Sequence, residues 1–304
     1  MTPKLSVLMP AKRTDRWLGL WESINNSFSG DWELRIGTSM EVPPEILEKP
    51  NVFVTNSQRS PLHKQQQLLC EAKGEYVTAI SDDTLFQPDA FNRTFEVLEQ
   101  PGNQGKFAAC KYLEGKEIRF EPFYGPDAGP HLLYDMQPPM DGRNDNKHTW
   151  YFTPRYWTNY DFMRSDEHYL CKTHNSSNMK YVHPRAPILS NAIFPYDLIV
   201  GFGGWDCRWE SVPMANNDLA CRLMYGGYDY IMSPVVTQIC GYMEHGSGDH
   251  GALHEAAIAD AVIFKEMYEK PESAGRKIIN LMNWMNTPEI WARRAKHVDN
   301  PIEG

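Results

Sequence analysis

Short apolar runs alternate with helix-patterned segments through the first hundred residues, and no other feature of the chain limits its fold so sharply. Leu5-Ser6-Val7-Leu8-Met9-Pro10 is an apolar run stopped by proline, the pattern of a buried parallel strand. Asp15 to Phe28 has helical spacing, with Trp17, Leu20, Trp21, Ile24 and Phe28 on one face. Trp32 to Gly37 and Val52 to Val54 read as the second and third strands. Leu62 to Ala72 reads as a helix closed by Gly74, and Tyr76 to Ile80 as the fourth strand. Pro88 to Leu98 reads as the next helix, with proline near its first turn. The connections are too long for hairpins, so the strands are expected to be parallel, with right-handed crossovers, in an open sheet. Such sheets bind ligands at the carboxyl ends of their strands. Pro10, Thr38, Ser39, the run from Asn56 to Arg59, Asp82 and Asp83 all fall at those ends.

The alternation dissolves between about Gly115 and Pro187, where Gly, Pro, Asn and Asp punctuate the sequence and aromatics are frequent. Within it, Lys147 to Arg185 holds six Lys or Arg, four His and three acidic residues. Regular pattern returns with a strand at Ile188 to Phe194, a helix at Asn217 to Tyr225 and a strand at Val235 to Tyr242. An amphipathic helix comes next at Ala252 to Lys270, then a helical tail from Arg276 to His297 interrupted at Pro288. This divides the 304 residues into an α/β half at 1–115, a second half with a loop-rich insertion at 116–250, and C-terminal helices at 251–304. A net charge of −9 argues against a polyanion binder that works through bulk charge. The six cysteines include no C-x-x-C pair, so reduced thiols and a cytoplasmic protein are expected. Met1-Thr2-Pro3-Lys4 leads straight into the first strand, so no signal peptide is expected, and no apolar window is long enough to span a membrane.

Asp82 and Asp83 come directly after an apolar strand with nothing local to neutralise them. A divalent cation would satisfy them, and oxygen ligands suit Mn²⁺ or Mg²⁺; the competing reading is that one of them caps a helix just beyond. Glu244 to His250 is a second polar cluster, with His245 and His250 on a Gly-rich loop whose spacing matches no usual zinc signature. Gly201-Phe202-Gly203-Gly204-Trp205 lacks the Lys-Ser/Thr of a phosphate loop and reads as a turn close to an acceptor, with Trp205 as a stacking platform. Arg59 and Lys64 lie where they would reach donor phosphates, against the plainer reading of solvated surface charges.

The chain resembles family 2 glycosyltransferases of the GT-A fold. The resemblance rests on Ala72-Lys73-Gly74-Glu75-Tyr76-Val77, Ser81-Asp82-Asp83 and Pro88-Asp89-Ala90. It continues through Gly203-Gly204-Trp205-Asp206, Asp218 to Leu223 with its Leu-x-x-Arg, Gly227-Tyr228, and the run from Val235 to His245. It implies an open, mostly parallel, Rossmann-like sheet flanked by helices, with a loop-rich acceptor region. It implies a metal-dependent inverting transfer from a nucleoside-diphosphate sugar, UDP favoured, to a hydroxyl acceptor. Asp83 and His245 correspond to metal ligands, and Asp82 to a contact of the ribose or the metal. Pro10 and Ala11 would lie along the base, with Arg13, Thr38, Arg59 and Lys64 on the donor side. Asp218 corresponds to the catalytic base. The family's Glu-Asp pair falls at Ala215-Asn216 here, so Asp206 and Glu210 are alternatives for that role. The family's acidic residue after the second strand is replaced by Gly37-Thr38-Ser39. Gly204 and Trp205 would meet the acceptor, as would Trp157 and Arg155 from the aromatic, basic segment. That composition suits a carbohydrate or a hydroxymethylated base in DNA, as phage enzymes modify. Two other classes remain. A nucleotidyltransferase would bring a Gly-rich loop where Ala11-Lys12-Arg13-Thr14-Asp15 has no glycine, and a binding module would have lost its base.

Overall fold

The computed structural model describes residues 2–115, 150–151, 186–187, 189 and 191–241, with the helical positions 260, 264 and 268. The opening apolar run forms β1 (Leu5–Pro10), and a 3-10 turn at Thr14–Arg16 leads into α1 (Trp17–Ser27). β2 (Trp32–Thr38), α2 (Pro44–Leu47), β3 (Val52–Asn56), α3 (Pro61–Glu71) and β4 (Tyr76–Ala79) come after it. Next are β5 (Thr84–Phe86), α4 (Ala90–Leu98), β6 (Phe107–Gly115), β7 (Trp150–Tyr151) and β8 (Ile193–Pro195). The series ends with α5 (Tyr196–Gly201), α6 (Val212–Tyr225) and β9 (Tyr230–Gly241).

Among the described residues nine strands join one sheet in the order β3-β2-β1-β4-β8-β6-β9-β5, with β7 added on β6. β3, β2, β1 and β4 pair in parallel, as do β6 and β9. β8 runs antiparallel between β4 and β6, which turns β6 back to the direction of β4. β5 and β7 are antiparallel to their neighbours. The sheet is therefore mixed and mostly parallel, and it continues unbroken from the first half of the chain into the residues after the insertion. β6 and β9 fall out of register around Cys110, where Ser233, Pro234 and Val235 stand opposite it. Pro234 has no N–H to give the ladder, so an irregularity is the expected local solution.

Alternation along β1 sends its side chains to two cores. Leu5, Val7 and Met9 pack with Trp17, Leu20 and Ile24 of α1 and with Phe91, Phe95 and Leu98 of α4. Leu8 faces the other way, into a cluster with Leu62, Leu68 and Leu69 of α3, Leu219 and Leu223 of α6, Phe264 and Tyr268. Each large apolar side chain buried in this way contributes about 1.5–3 kcal/mol. A polar tie closes the opposite end of the sheet from the strand tips. Buried Glu33 accepts from Ser6 Oγ, from Arg35 Nε and Nη2 at 2.8 Å each, and from the Lys73 amide at 2.8 Å. Burial alone would raise the Glu33 carboxyl, but these hydrogen bonds and the Arg35 charge outweigh it and hold the group below its usual range.

The expected elements from β1 to α4 are present with small shifts at their ends. β5 and β6 are additions, and α6 begins at Val212 rather than Asn217, with a proline in its first turn. The strand expected at Ile188 to Phe194 shortens to β8. Positions 260, 264 and 268 are helical and lie on one face of the helix expected at 252–270. The rest of that helix, the tail, and the segment 147–185 apart from β7 lie outside the described residues. Among the described residues no helix is long and apolar enough to cross a membrane, and Cys70, Cys110, Cys207 and Cys221 are free thiols.

Candidate active site

The two adjacent aspartates have different surroundings. The element directly after them is the strand β5, so neither caps a helix; α4 is preceded by Asp89, whose side chain makes no capping bond. Asp82 is 3% exposed. Its Oδ2 accepts the backbone amides of Lys12 at 2.6 Å and Arg13 at 2.7 Å, and its Oδ1 accepts Arg13 Nη1. The carboxylate thus ties the end of β4 to the loop that leaves β1. Asp83 is 9% exposed, and its Oδ2 lies 3.8 Å from the same Arg13 Nη1. Asp83 makes no such tie to the loop.

The strand register gathers the other donor-side residues at this rim. Pro10 pairs with Gly37, and Thr38 with Asn56. The Ala11 amide donates to Gly37 O at 2.9 Å. The Thr38 hydroxyl accepts the Met40 amide at 3.0 Å, and its carbonyl accepts the Ser57 amide at 2.8 Å, so Thr38 shapes the turn after β2. Ser57 Oγ in turn accepts the Arg59 amide at 3.3 Å. Half-buried Lys64 packs over Gly37, where a Cβ would come 3.2 Å from Lys64 Cβ. That close approach of α3 explains the glycine at this position.

The Gly-Gly-Trp-Asp segment is held by α3. Gln66 Nε2 donates to Gly203 O at 3.1 Å, Gln66 Oε1 accepts the Trp205 amide at 2.9 Å, and His63 Nε2 donates to Cys207 O at 2.9 Å. Gly203 and Gly204 take φ values of 79° and 69°, and a Cβ on Gly204 would come 2.4 Å from Gln66 Oε1. The close approach expected here is therefore to α3 rather than to an acceptor. Trp205, expected as a stacking platform, is interior: it is 2% exposed and its Nε1 donates to Asn216 Oδ1 at 2.9 Å. Its indole fills the core beneath the site.

The three base candidates separate just as clearly. Asp218 is 0% exposed and sits inside α6. Its Oδ2 accepts Arg222 Nε at 2.8 Å and its Oδ1 accepts the Tyr268 hydroxyl at 2.6 Å. Arg222 continues to the carbonyls of Phe202 and Gly204 at 2.7 Å each, so this buried pair clamps the glycine turn. Burial, the Asp218 charge and the hydrogen bond to it together raise the Tyr268 hydroxyl well above its usual value. Asp206 accepts Arg208 Nε at 3.0 and 2.9 Å on its two oxygens, and Arg208 Nη2 as well. Glu210 stands at the head of α6, where Asp260 Oδ2 accepts the amides of Glu210 and Ser211 at 2.8 and 2.7 Å. Sequence reasoning missed His63, Gln66, Asp260 and Tyr268, because each acts across 49 residues or more.

His245, Trp157 and Arg155 lie outside the described residues. β9, which leads toward His245, ends at Gly241, and its Cys240 pairs with Thr84, the residue after Asp83. Among the described residues no group of three or more His, Cys, Asp or Glu side chains gathers as a metal site. The donor set still fits Mg²⁺ or Mn²⁺. Such ions are commonly held by one or two carboxylates, water and substrate phosphate, and a cationic guanidinium already rests beside Asp83.

A mostly parallel sheet with this strand order, an acidic pair at its carboxyl rim and helices on both faces defines the GT-A class of fold. Two solved structures share it: Staphylococcus aureus TarS 1–349, and the same protein in complex with UDP. The first superposes with a TM-score of 0.50 at 10% identity, over 92% of this chain and 71% of that one. The second gives 0.51 at 11%, over 93% and 71%. No protein-family model and no curated protein matches the chain.

Proposed function

We propose that this chain is a glycosyltransferase that moves a sugar from a nucleoside-diphosphate sugar to a hydroxyl acceptor, with inversion at the anomeric carbon and with Mn²⁺ or Mg²⁺. The observation that carries this reading is the Asp82–Asp83 pair at the carboxyl end of β4, joined to the loop after β1 on a GT-A sheet. A UDP-sugar is the favoured donor, supported by the UDP complex among the structures of similar fold. The free thiols are consistent with a cytoplasmic setting. A divalent cation would be held by Asp83, with His245 as the further protein ligand, and supplies neutralisation of the charge that grows on the departing diphosphate. Asp82 keeps the Lys12 and Arg13 amides in place. Pro10 and Ala11 form the wall along the base, and Arg13 and Arg59 bring positive charge to the phosphates.

The base must reach the acceptor hydroxyl. Asp218 is committed to Arg222 and Tyr268, and Asp206 is ion-paired along both oxygens by Arg208. Glu210, whose backbone amide Asp260 fixes at the head of α6, is the candidate we test first, with Asp206 and Asp218 as the alternatives. Glu210→Gln should lower transfer by about 10²-fold or more while leaving Mn²⁺-dependent UDP binding unchanged. Full activity in that variant would move the base to Asp206. The acceptor is a sugar hydroxyl or a hydroxymethylated base in DNA, with Trp157 and Arg155 contributing. Salt-dependent binding of duplex DNA would select the second, and absence of binding at low salt the first.

A further inference from the structure

Arg13 stands where a metal cation is expected. Its Nη1 bonds to Asp82 Oδ1 and lies 3.8 Å from Asp83 Oδ2, so one guanidinium serves both carboxylates. Asp82 holds Arg13 twice, by the side chain and by the backbone amide. The side chain can therefore leave Asp83 without the loop coming away. A second feature is independent of the first. Among the described residues Arg13 Nε is buried with no hydrogen-bond partner, although buried guanidinium donors are normally satisfied. The side chain as a whole keeps 20% of its surface exposed. A guanidinium secured through Nη1, with Nε unmet and part of the side chain open to solvent, is half of a binding arrangement.

Resting on the glycosyltransferase reading above, we infer that Arg13 is a built-in counter-ion of the acidic pair. It yields its place beside Asp83 to the divalent metal and turns its unmet Nε to the donor diphosphate. Metal alone has to displace a like charge and leaves the guanidinium with nothing in return. Metal with a nucleoside diphosphate does not, because planar guanidinium and phosphate oxygens pair in a fork. Metal and nucleotide binding are therefore coupled through Arg13, each strengthening the other by the same factor. Asp82 stays with the loop throughout and acts as the positioning residue for Arg13.

Mn²⁺ binding to the full chain, read from the electron paramagnetic resonance signal of the free ion with and without UDP, tests this. Arg13→Gln should bind Mn²⁺ alone about tenfold more tightly, since removing an adjacent like charge shifts such equilibria by one to three powers of ten. It should also lose most of the enhancement that UDP gives the wild type. Arg13→Lys keeps the charge and should stay near the wild type for Mn²⁺ alone, which also guards against misfolding in Arg13→Gln. If Arg13→Gln binds Mn²⁺ no better than the wild type, or keeps the full UDP enhancement, Arg13 is only a structural tie. Asp83→Asn separates the two ways of failing. Lost Mn²⁺ binding in Asp83→Asn beside an unchanged Arg13→Gln overturns the role of Arg13 alone. Mn²⁺–UDP binding that ignores Asp83, or no binding in any form, overturns the metal-dependent reading and this inference with it.

Discussion

Asp82 accepts two backbone amides and a guanidinium, whereas Asp83 meets the same guanidinium only at 3.8 Å. Substitution should therefore split the pair. Asp82→Ala strands two part-buried amides and the Arg13 guanidinium and should cost about 1–3 kcal/mol of stability, measured by urea denaturation. Asp83→Ala removes no such tie and should stay within about 0.5 kcal/mol, the range of a change away from core features, while abolishing metal-dependent nucleotide binding. The local pattern did not separate the two carboxylates, and only the resemblance gave them different roles, because the difference in their surroundings comes from a loop 69 residues earlier. What was legible locally was their place at the tip of an apolar strand, and the structure puts them there.

At the scale of elements, α6 is held by contacts that local pattern only half discloses. Asp218 and Arg222 lie four residues apart on one helix face, and they form an ion pair. Its burial, the carbonyls of Phe202 and Gly204, and the Tyr268 hydroxyl come from other elements, so a structural clamp read as a catalytic base. Asp218→Ala leaves Arg222 buried and unpaired and should cost about 3–5 kcal/mol, seen as a large drop in the midpoint of thermal unfolding. Gly204→Ala combines a left-handed backbone with a clash against Gln66 and Leu69, and should cost about 1–3 kcal/mol in the same assay. β1, α1, β2, α3 and β4 were legible because each carries its own periodicity. β5 has three residues, and β6 opens Phe-Ala-Ala-Cys, a run with little strand character until β8 and β9 flank it.

For the molecule as a whole, acid stability should report the tie that Glu33 makes between β1, β2 and the turn before β4. Its carboxyl is held below the usual value in the folded chain, so folding gains from its ionised form. That contribution is fully present above the unfolded value near 4.5 and is lost as pH falls through the lowered folded one. Denaturation measured from pH 7 to pH 3 should show the loss, and Glu33→Gln should flatten it while lowering stability at pH 7. The parallel-sheet class and the carboxyl-end rim were readable from the alternation of elements alone. The continuation of one sheet across both halves was not, because β8 and β9 enter it from beyond the insertion. Transfer chemistry at that rim is the central claim. Incubating the wild type and Asp83→Ala with Mn²⁺ and a panel of nucleotide sugars, and measuring free nucleoside diphosphate, tests it most directly. The wild type should release the diphosphate from at least one UDP-sugar, and chelation or Asp83→Ala should abolish that release. Release that persists in Asp83→Ala, or none from any sugar nucleotide with acceptor panels present, would contradict it.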